Sequence, residues 1–192
     1  MSMRNSLIPT FLAATVLASG GISALAQGYG GPYGFGATPS AEEIAAVDID
    51  AMPDGRGLPP GSGTYQDGRE IFMAQCAACH GEDLQGIPDV GIGGDRLIGG
   101  RGSLASDSPA KTVESYWPHA TTVFDYVKRA MPFHAPGSLS DDEVYAVTAF
   151  ILGETDIIGR DDVVNAETLP QVQMPNRDGF VPDPRPDVHN YE

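Results

Sequence analysis

One pentapeptide limits what this chain can become: Cys76-Ala77-Ala78-Cys79-His80. C-x-x-C-H is the attachment pattern of a c-type haem, in which two thiols separated by two residues add to the two porphyrin vinyl groups. The histidine beside the second thiol then lies under the iron and supplies its proximal nitrogen. Two other uses of paired cysteines suit the chain less well. A thioredoxin-like redox pair belongs with a βαβ pattern, which the sequence lacks. A four-ligand zinc site needs more cysteines or ligand-spaced histidines, and Cys76 and Cys79 are the only cysteines present. One covalent haem c is therefore expected, attached through Cys76 and Cys79, with His80 on the iron.

The 192 residues suggest one small domain with long appendages, and the 16 prolines gather towards the two ends. A formal net charge of -15 argues against nucleic acid as a partner, because phosphate binding needs clustered Lys and Arg. Residues 1–26 have the form of a secretory signal. Arg4 precedes an apolar stretch from Leu7 to Ile22, and Ala24-Leu25-Ala26 is an A-x-A cleavage site. Pro9 and Ser19-Gly20-Gly21 interrupt that stretch well short of the roughly twenty residues a membrane span needs. The expectation is a periplasmic protein cleaved after Ala26, with no membrane span afterwards. Export also suits the haem, since c-type attachment occurs outside the bacterial cytoplasm.

Residues 27–63 form a Gly- and Pro-rich extension, with one or two helical turns expected over Ala41–Val47. Residues 64–153 carry the haem pattern and three helices. The first is expected over Thr64–Cys79, opened by the capping signal Thr64-x-x-Asp67, with Gly68, Phe72 and Cys76 on one face. Gly68 costs helix stability, so it suggests close approach of another helix. The second runs over Thr122–Ala130, with Val123, Phe124 and Val127 apolar and Lys128 and Arg129 in its last turn. Met131-Pro132 ends it. The third starts at Asp141, where Ser140-x-x-Glu143 forms a capping box and Leu139 and Val144 a hydrophobic staple. It ends near Leu152, with Gly153 as the stop. Residues 154–192 are Pro-rich and extended, apart from a short helical turn over Asp161–Glu167. No strand is expected.

Beyond His80 the iron has one more axial position. The candidates are Met131, Met174, Met73, Met52, His119, His134 and His189. Met73 lies too close to His80 on the same helix, while Met52, Met174 and His189 lie outside the compact segment. Met131 is preferred, about fifty residues after His80 at a helix end, on a turn stiffened by Pro132 and Pro136. For the haem propionates, Arg101, and equally Arg96, offers a cation, although both also suit a solvated loop. Tyr116 and Trp117 offer hydrogen bonds or plain core packing.

Haem helix, methionine turn and capped terminal helix together resemble the class I cytochromes c. The flanks narrow the likeness. Asp48-Ile-Asp, Gly57-Leu-Pro-Pro-Gly-Ser-Gly63, Gly99-Gly-Arg-Gly-Ser-Leu-Ala105 and Lys111-Thr-Val-Glu-Ser-Tyr-Trp117 resemble the single-haem cytochrome subunits of periplasmic Sox-type sulfite and sulfane dehydrogenases. So do Thr122-Val-Phe-Asp-Tyr126, Arg129-Ala-Met-Pro-Phe133 and Leu169-Pro … Met174-Pro-Asn-Arg-Asp-Gly-Phe180. The resemblance implies an all-α class I cytochrome c fold with long irregular N- and C-terminal extensions. It also implies one-electron transfer from a molybdopterin-containing dehydrogenase subunit to a downstream cytochrome c or oxidase. On that view the chain is an electron-transfer subunit rather than itself catalytic. A free-standing diffusible carrier is the alternative. The tail, Leu169–Asn190, is expected to dock on the partner, the other arrangement being that it covers its own domain.

Overall fold

The computed structural model describes residues 35–87 and 94–183. The expected signal segment and the end of the tail lie outside the described residues. Glu42–Glu192 forms one compact unit, and Met1–Ala41 groups separately. Helix α1 spans Ala41–Val47, as the sequence suggests, and buries none of its residues.

Helix α2 covers Tyr65–Gln75, with the Thr64 hydroxyl accepting from the Asp67 N–H. The expected single helix through Cys79 is instead two pieces. Cys76 leaves helical geometry (φ -120°, ψ -35°), and α3 resumes over Ala77–His80. Helix α4 starts two residues earlier than expected, over Ala120–Ala130. Met131 follows it with extended backbone, φ -122° and ψ 150°, the geometry that Pro132 imposes on its predecessor. Helix α5 covers Asp141–Glu154 with both halves of the Ser140–Glu143 capping box formed. It runs through Gly153 to Glu154, and the Thr155 hydroxyl donates to the Leu152 carbonyl at 2.8 Å.

The core is the crossing of α2 and α5, with α4 against α5. Phe72, Phe124, Val144, Phe150 and Leu152 are buried. Phe150 packs between Tyr65 and Phe72, at ring separations of 5.2 and 5.1 Å. Phe124 meets Tyr145 at 4.4 Å. The crossing is close because one residue has no side chain. A Cβ at Gly68 would overlap the Ala146 carbonyl and press on Phe150 Cβ.

Two corrections concern the ends of this domain. A two-stranded antiparallel sheet is present, where no strand was expected. Strand β1 (Ser62–Thr64) pairs with β2 (Val163–Asn165), Gly63 opposite Val164. Three-residue strands are too short for alternation to show in a sequence. Within Asp161–Glu167, β2 replaces the expected helical turn. The tail's first half also packs on its own domain, not held free for a partner. After a 3₁₀ turn at Leu169–Gln171, Leu169 and Met174 are buried at 0% and 3% exposure. The Asn176 amide donates to the Tyr116 carbonyl at 2.7 Å. The packed core thus extends past Gly153 to Met174, while Phe180 and Val181 stay exposed.

Met174→Ala tests this placement. Truncating a fully buried methionine is expected to cost about 2 kcal/mol or more, read as a lower midpoint in denaturant with the haem spectrum retained. An unchanged midpoint would return the tail to the role of a free arm.

Candidate functional site

Between α2–α3 on one side and α4–α5 on the other lies a cavity of about 600 Å³. That is within the range of cofactor sites, and its wall is mostly apolar as such sites are. Phe72, Leu97, Val113, Val123, Val127 and Ile151 supply that wall. Cys76, Cys79 and His80 line it too, and so do Met131, Trp117 and His134.

The local fold aims these groups. The break at Cys76 leaves that residue between the two helices, as the N-cap of α3, with Cys79 inside the short helix. The chain then loops back over His80. The Gly86 N–H donates to the His80 carbonyl at 2.7 Å, and the Leu97 N–H to the Leu84 carbonyl at 2.8 Å. A Cβ at Gly94 would overlap the Cys79 carbonyl, so this return pass needs glycine there. It brings the Asp95 carbonyl to 2.7 Å from His80 Nδ1. Nδ1 therefore carries the proton and donates it, which leaves Nε2 with a free lone pair for a metal.

The Cys76 thiol is not tuned for redox exchange. Burial first, and the neighbouring Cys79 second, push the free Cys76 thiol up to about 11, whereas reactive thiols are depressed. Among the described residues, no three of His, Cys, Asp and Glu converge on a site for a bare metal ion.

The distal candidates separate by position. Met131 is half-buried on the cavity wall, its N–H held by the Val127 carbonyl at 3.1 Å. His134 also reaches the wall from an exposed position. His119, Met73, Met52 and Met174 do not line it, and His189 lies outside the described residues.

Of the candidate propionate contacts, Trp117 is on the wall and three others are elsewhere. Arg101 Nε pairs with Glu114 at 2.6 Å, and its guanidinium donates to the Thr155 carbonyl. Tyr116 turns its ring to Phe180 at 5.2 Å, under the Lys111 ammonium. Arg96 is exposed and off the wall.

Two groups that the residue pattern did not single out belong to the site. Asp95 acts through its carbonyl, which leaves no trace in side-chain identity. Tyr126 lines the cavity and meets Trp117 edge-on at 5.5 Å. Its signal was present, nine residues after Trp117 and on the helix before Met131.

The donor set fits a covalently held haem. Paired thiols and an oriented imidazole sit on one apolar cavity, with a thioether on the same wall. Among the described residues, no helix is long and apolar enough to cross a membrane.

Comparison with known proteins matches residues 65–154 to the family described as Cytochrome c. A chain in the crystal structure of the sulfane dehydrogenase SoxCD from Paracoccus pantotrophus is 44% identical. It superposes with a TM-score of 0.72 over 82% of this chain and 75% of that one. The thiosulfate dehydrogenase of Stutzerimonas stutzeri (strain A1501) is 26% identical over 113 residues, 59% of this chain. The alignment spans 33% of that relative's length.

Proposed function

Because this chain belongs to the cytochrome c family, we propose that it is the electron-transfer subunit of a periplasmic, molybdenum-dependent sulfite or sulfane dehydrogenase. Family membership brings one covalent haem c, and Cys76 and Cys79 are the cysteines that fit its attachment. When bound, the haem supplies a one-electron Fe(III)/Fe(II) couple. The chain's own residues decide how that couple is used. His80, oriented by the Asp95 carbonyl, and Met131 are the proposed axial ligands. Held by both side chains, the iron would have no position for a substrate, and the group would supply electron transfer rather than small-molecule activation. The apolar wall would keep water from the haem, and the Met131 thioether would favour its reduced state.

The observation that carries this reading is the meeting of Cys76, Cys79, His80 and Met131 on one apolar cavity. The choice of partner leans on the likeness to a chain of a sulfane dehydrogenase. Electrons would enter from a molybdopterin subunit and leave to a downstream cytochrome c or oxidase. Export with cleavage after Ala26 belongs to the same proposal.

One observation favours the alternative, a diffusible carrier serving several dehydrogenases. Leu169 and Met174 are buried in their own domain, so that part of the tail is no longer evidence for a permanent partner. Gentle isolation from the native periplasmic fraction separates the two. The subunit reading expects a stable complex containing molybdenum in a fixed ratio to haem. Haem protein recovered alone, and reduced equally well by unrelated dehydrogenases, would select the carrier.

A further inference from the structure

No described residue of the N-terminal extension lines the cavity. Part of that extension is nevertheless fastened to α4, the helix that leads to Met131. The Ala51 N–H donates to the Asp125 carboxylate at 2.9 Å. Arg129 donates to the same carboxylate from Nε, at 3.0 and 3.1 Å, and from one terminal nitrogen. Its other terminal nitrogen pairs with Asp50 at 3.4 Å. One carboxylate thus gathers a backbone N–H of the extension and a guanidinium from the last turn of α4.

Exposed ion pairs hold little, but this one differs in burial and geometry. Asp125 is 8% exposed, so its charge has to be met inside the fold. The guanidinium meets it with two prongs, the arrangement in which charge-assisted bonds are strongest. The extension is shaped to reach the pair. The Met52 N–H donates to the Arg56 carbonyl at 2.8 Å, which folds the segment back on itself. Gly57 has φ +81°, and a Cβ there would overlap the Asp50 carbonyl. Glycine alone lets the chain pass that close to Asp50.

Along α4, Asp125 and Arg129 alternate with the residues that line the cavity, Val123, Tyr126 and Val127. Met131 follows two residues after Arg129, its N–H held by the Val127 carbonyl at 3.1 Å. Lys128, in the same last turn, pairs with Asp141 of α5 at 2.5 Å. Helix ends fray where internal bonds run out. Here the end is tied twice, to the extension and to α5.

We propose that Asp125, Arg129 and the Asp50–Ala51 segment form a clamp that keeps Met131 in place as the distal ligand. The inference rests on the Met131 assignment and on nothing about the dehydrogenase partner. Asp125 and Arg129 are positioning residues: they hold the last turn of α4, and the turn holds the thioether. A thioether favours reduced iron, so Met131 leaves most readily in the oxidised protein, and the clamp matters most there.

The test is the limiting rate at which saturating cyanide displaces Met131 in the full-length oxidised holoprotein, well below its melting temperature. Asp125→Asn is expected to raise that rate about tenfold, because the charge-assisted bonds to Arg129 are weakened. The far-red sulfur-to-iron band should persist until cyanide is added. Gly57→Ala changes no charge and lies in the extension, and it is expected to raise the rate as well by displacing Asp50. Met174→Ala removes core packing and none of these bonds, and should leave the rate at the parent value. Parent-like rates in Asp125→Asn and Gly57→Ala would overturn the clamp and leave Met131 as the ligand. An equal rise in Met174→Ala would also overturn it, since general loosening would then suffice. If Asp125→Asn does not fold, Gly57→Ala decides alone. A parent protein without the band would remove the Met131 assignment, and the clamp with it.

Discussion

Met131→Ala is expected to abolish the weak far-red sulfur-to-iron band of the oxidised protein and to let cyanide bind quickly. The argument starts from position. Met131 ends α4 in extended conformation, ahead of Pro132, and its side chain reaches the same cavity as His80. Alanine keeps the backbone and removes the sulfur. The potential should fall by a sizeable share of the roughly 0.8 V over which axial ligands tune haem proteins, because the thioether that favours Fe(II) is gone. His134→Ala is the necessary control, since His134 touches the same wall. It is expected to leave band and potential in place. The reverse pattern, with the band lost in His134→Ala and kept in Met131→Ala, would move the distal ligand to His134.

Gly68→Ala is expected to destabilise the fold strongly. Helix propensity alone favours the change by about 1 kcal/mol. Sterics oppose it, because the new Cβ overlaps the Ala146 carbonyl and crowds Phe150. Backbone cannot yield as a side-chain tip does, so α2 and α5 must separate. That loosens the Tyr65–Phe150 and Phe72–Phe150 contacts, each worth about 1 kcal/mol beyond its area. Overpacking commonly costs about 1–3 kcal/mol, and a net loss near the upper end is expected. For a chain of this size that lowers the melting temperature by on the order of 10 °C. A scan of holoprotein melting checks it. A melting temperature equal to or above the parent's would show that the two helices do not meet at Gly68.

What could be read from residues alone follows from how local each signal is. Cys76, Cys79 and His80 are contiguous, and Ser140 to Glu143 closes a box within one turn, so both were legible. Gly68 was legible as a point of close approach because glycine in a helix has an evident cost. The non-local choices were not legible. Arg101 had an anion to find, and the sequence does not rank Glu114 against a propionate. Tyr116 could hydrogen-bond or pack, and its ring meets Phe180. The Asp95 carbonyl orients His80 from fifteen residues away, with no side-chain signature. Leu169 and Met174 looked like anchors for another surface because prolines hide their return to the core.

Strands β1 and β2 lie roughly a hundred residues apart in the chain, and closing such a loop unaided costs about 4 kcal/mol in chain entropy. The α2–α5 crossing removes most of that cost beforehand. Once those helices meet, the free stretch from α5 to β2 is about ten residues, for which the cost is about 2 kcal/mol. Folding order follows from this arithmetic. The helix pair is expected to form in the nucleus, and the strand pair afterwards, on the native side of the barrier. Interactions added after the transition state slow unfolding without speeding folding. The small sheet therefore governs how long the haem fold lasts, and leaves the speed of its formation to the helices.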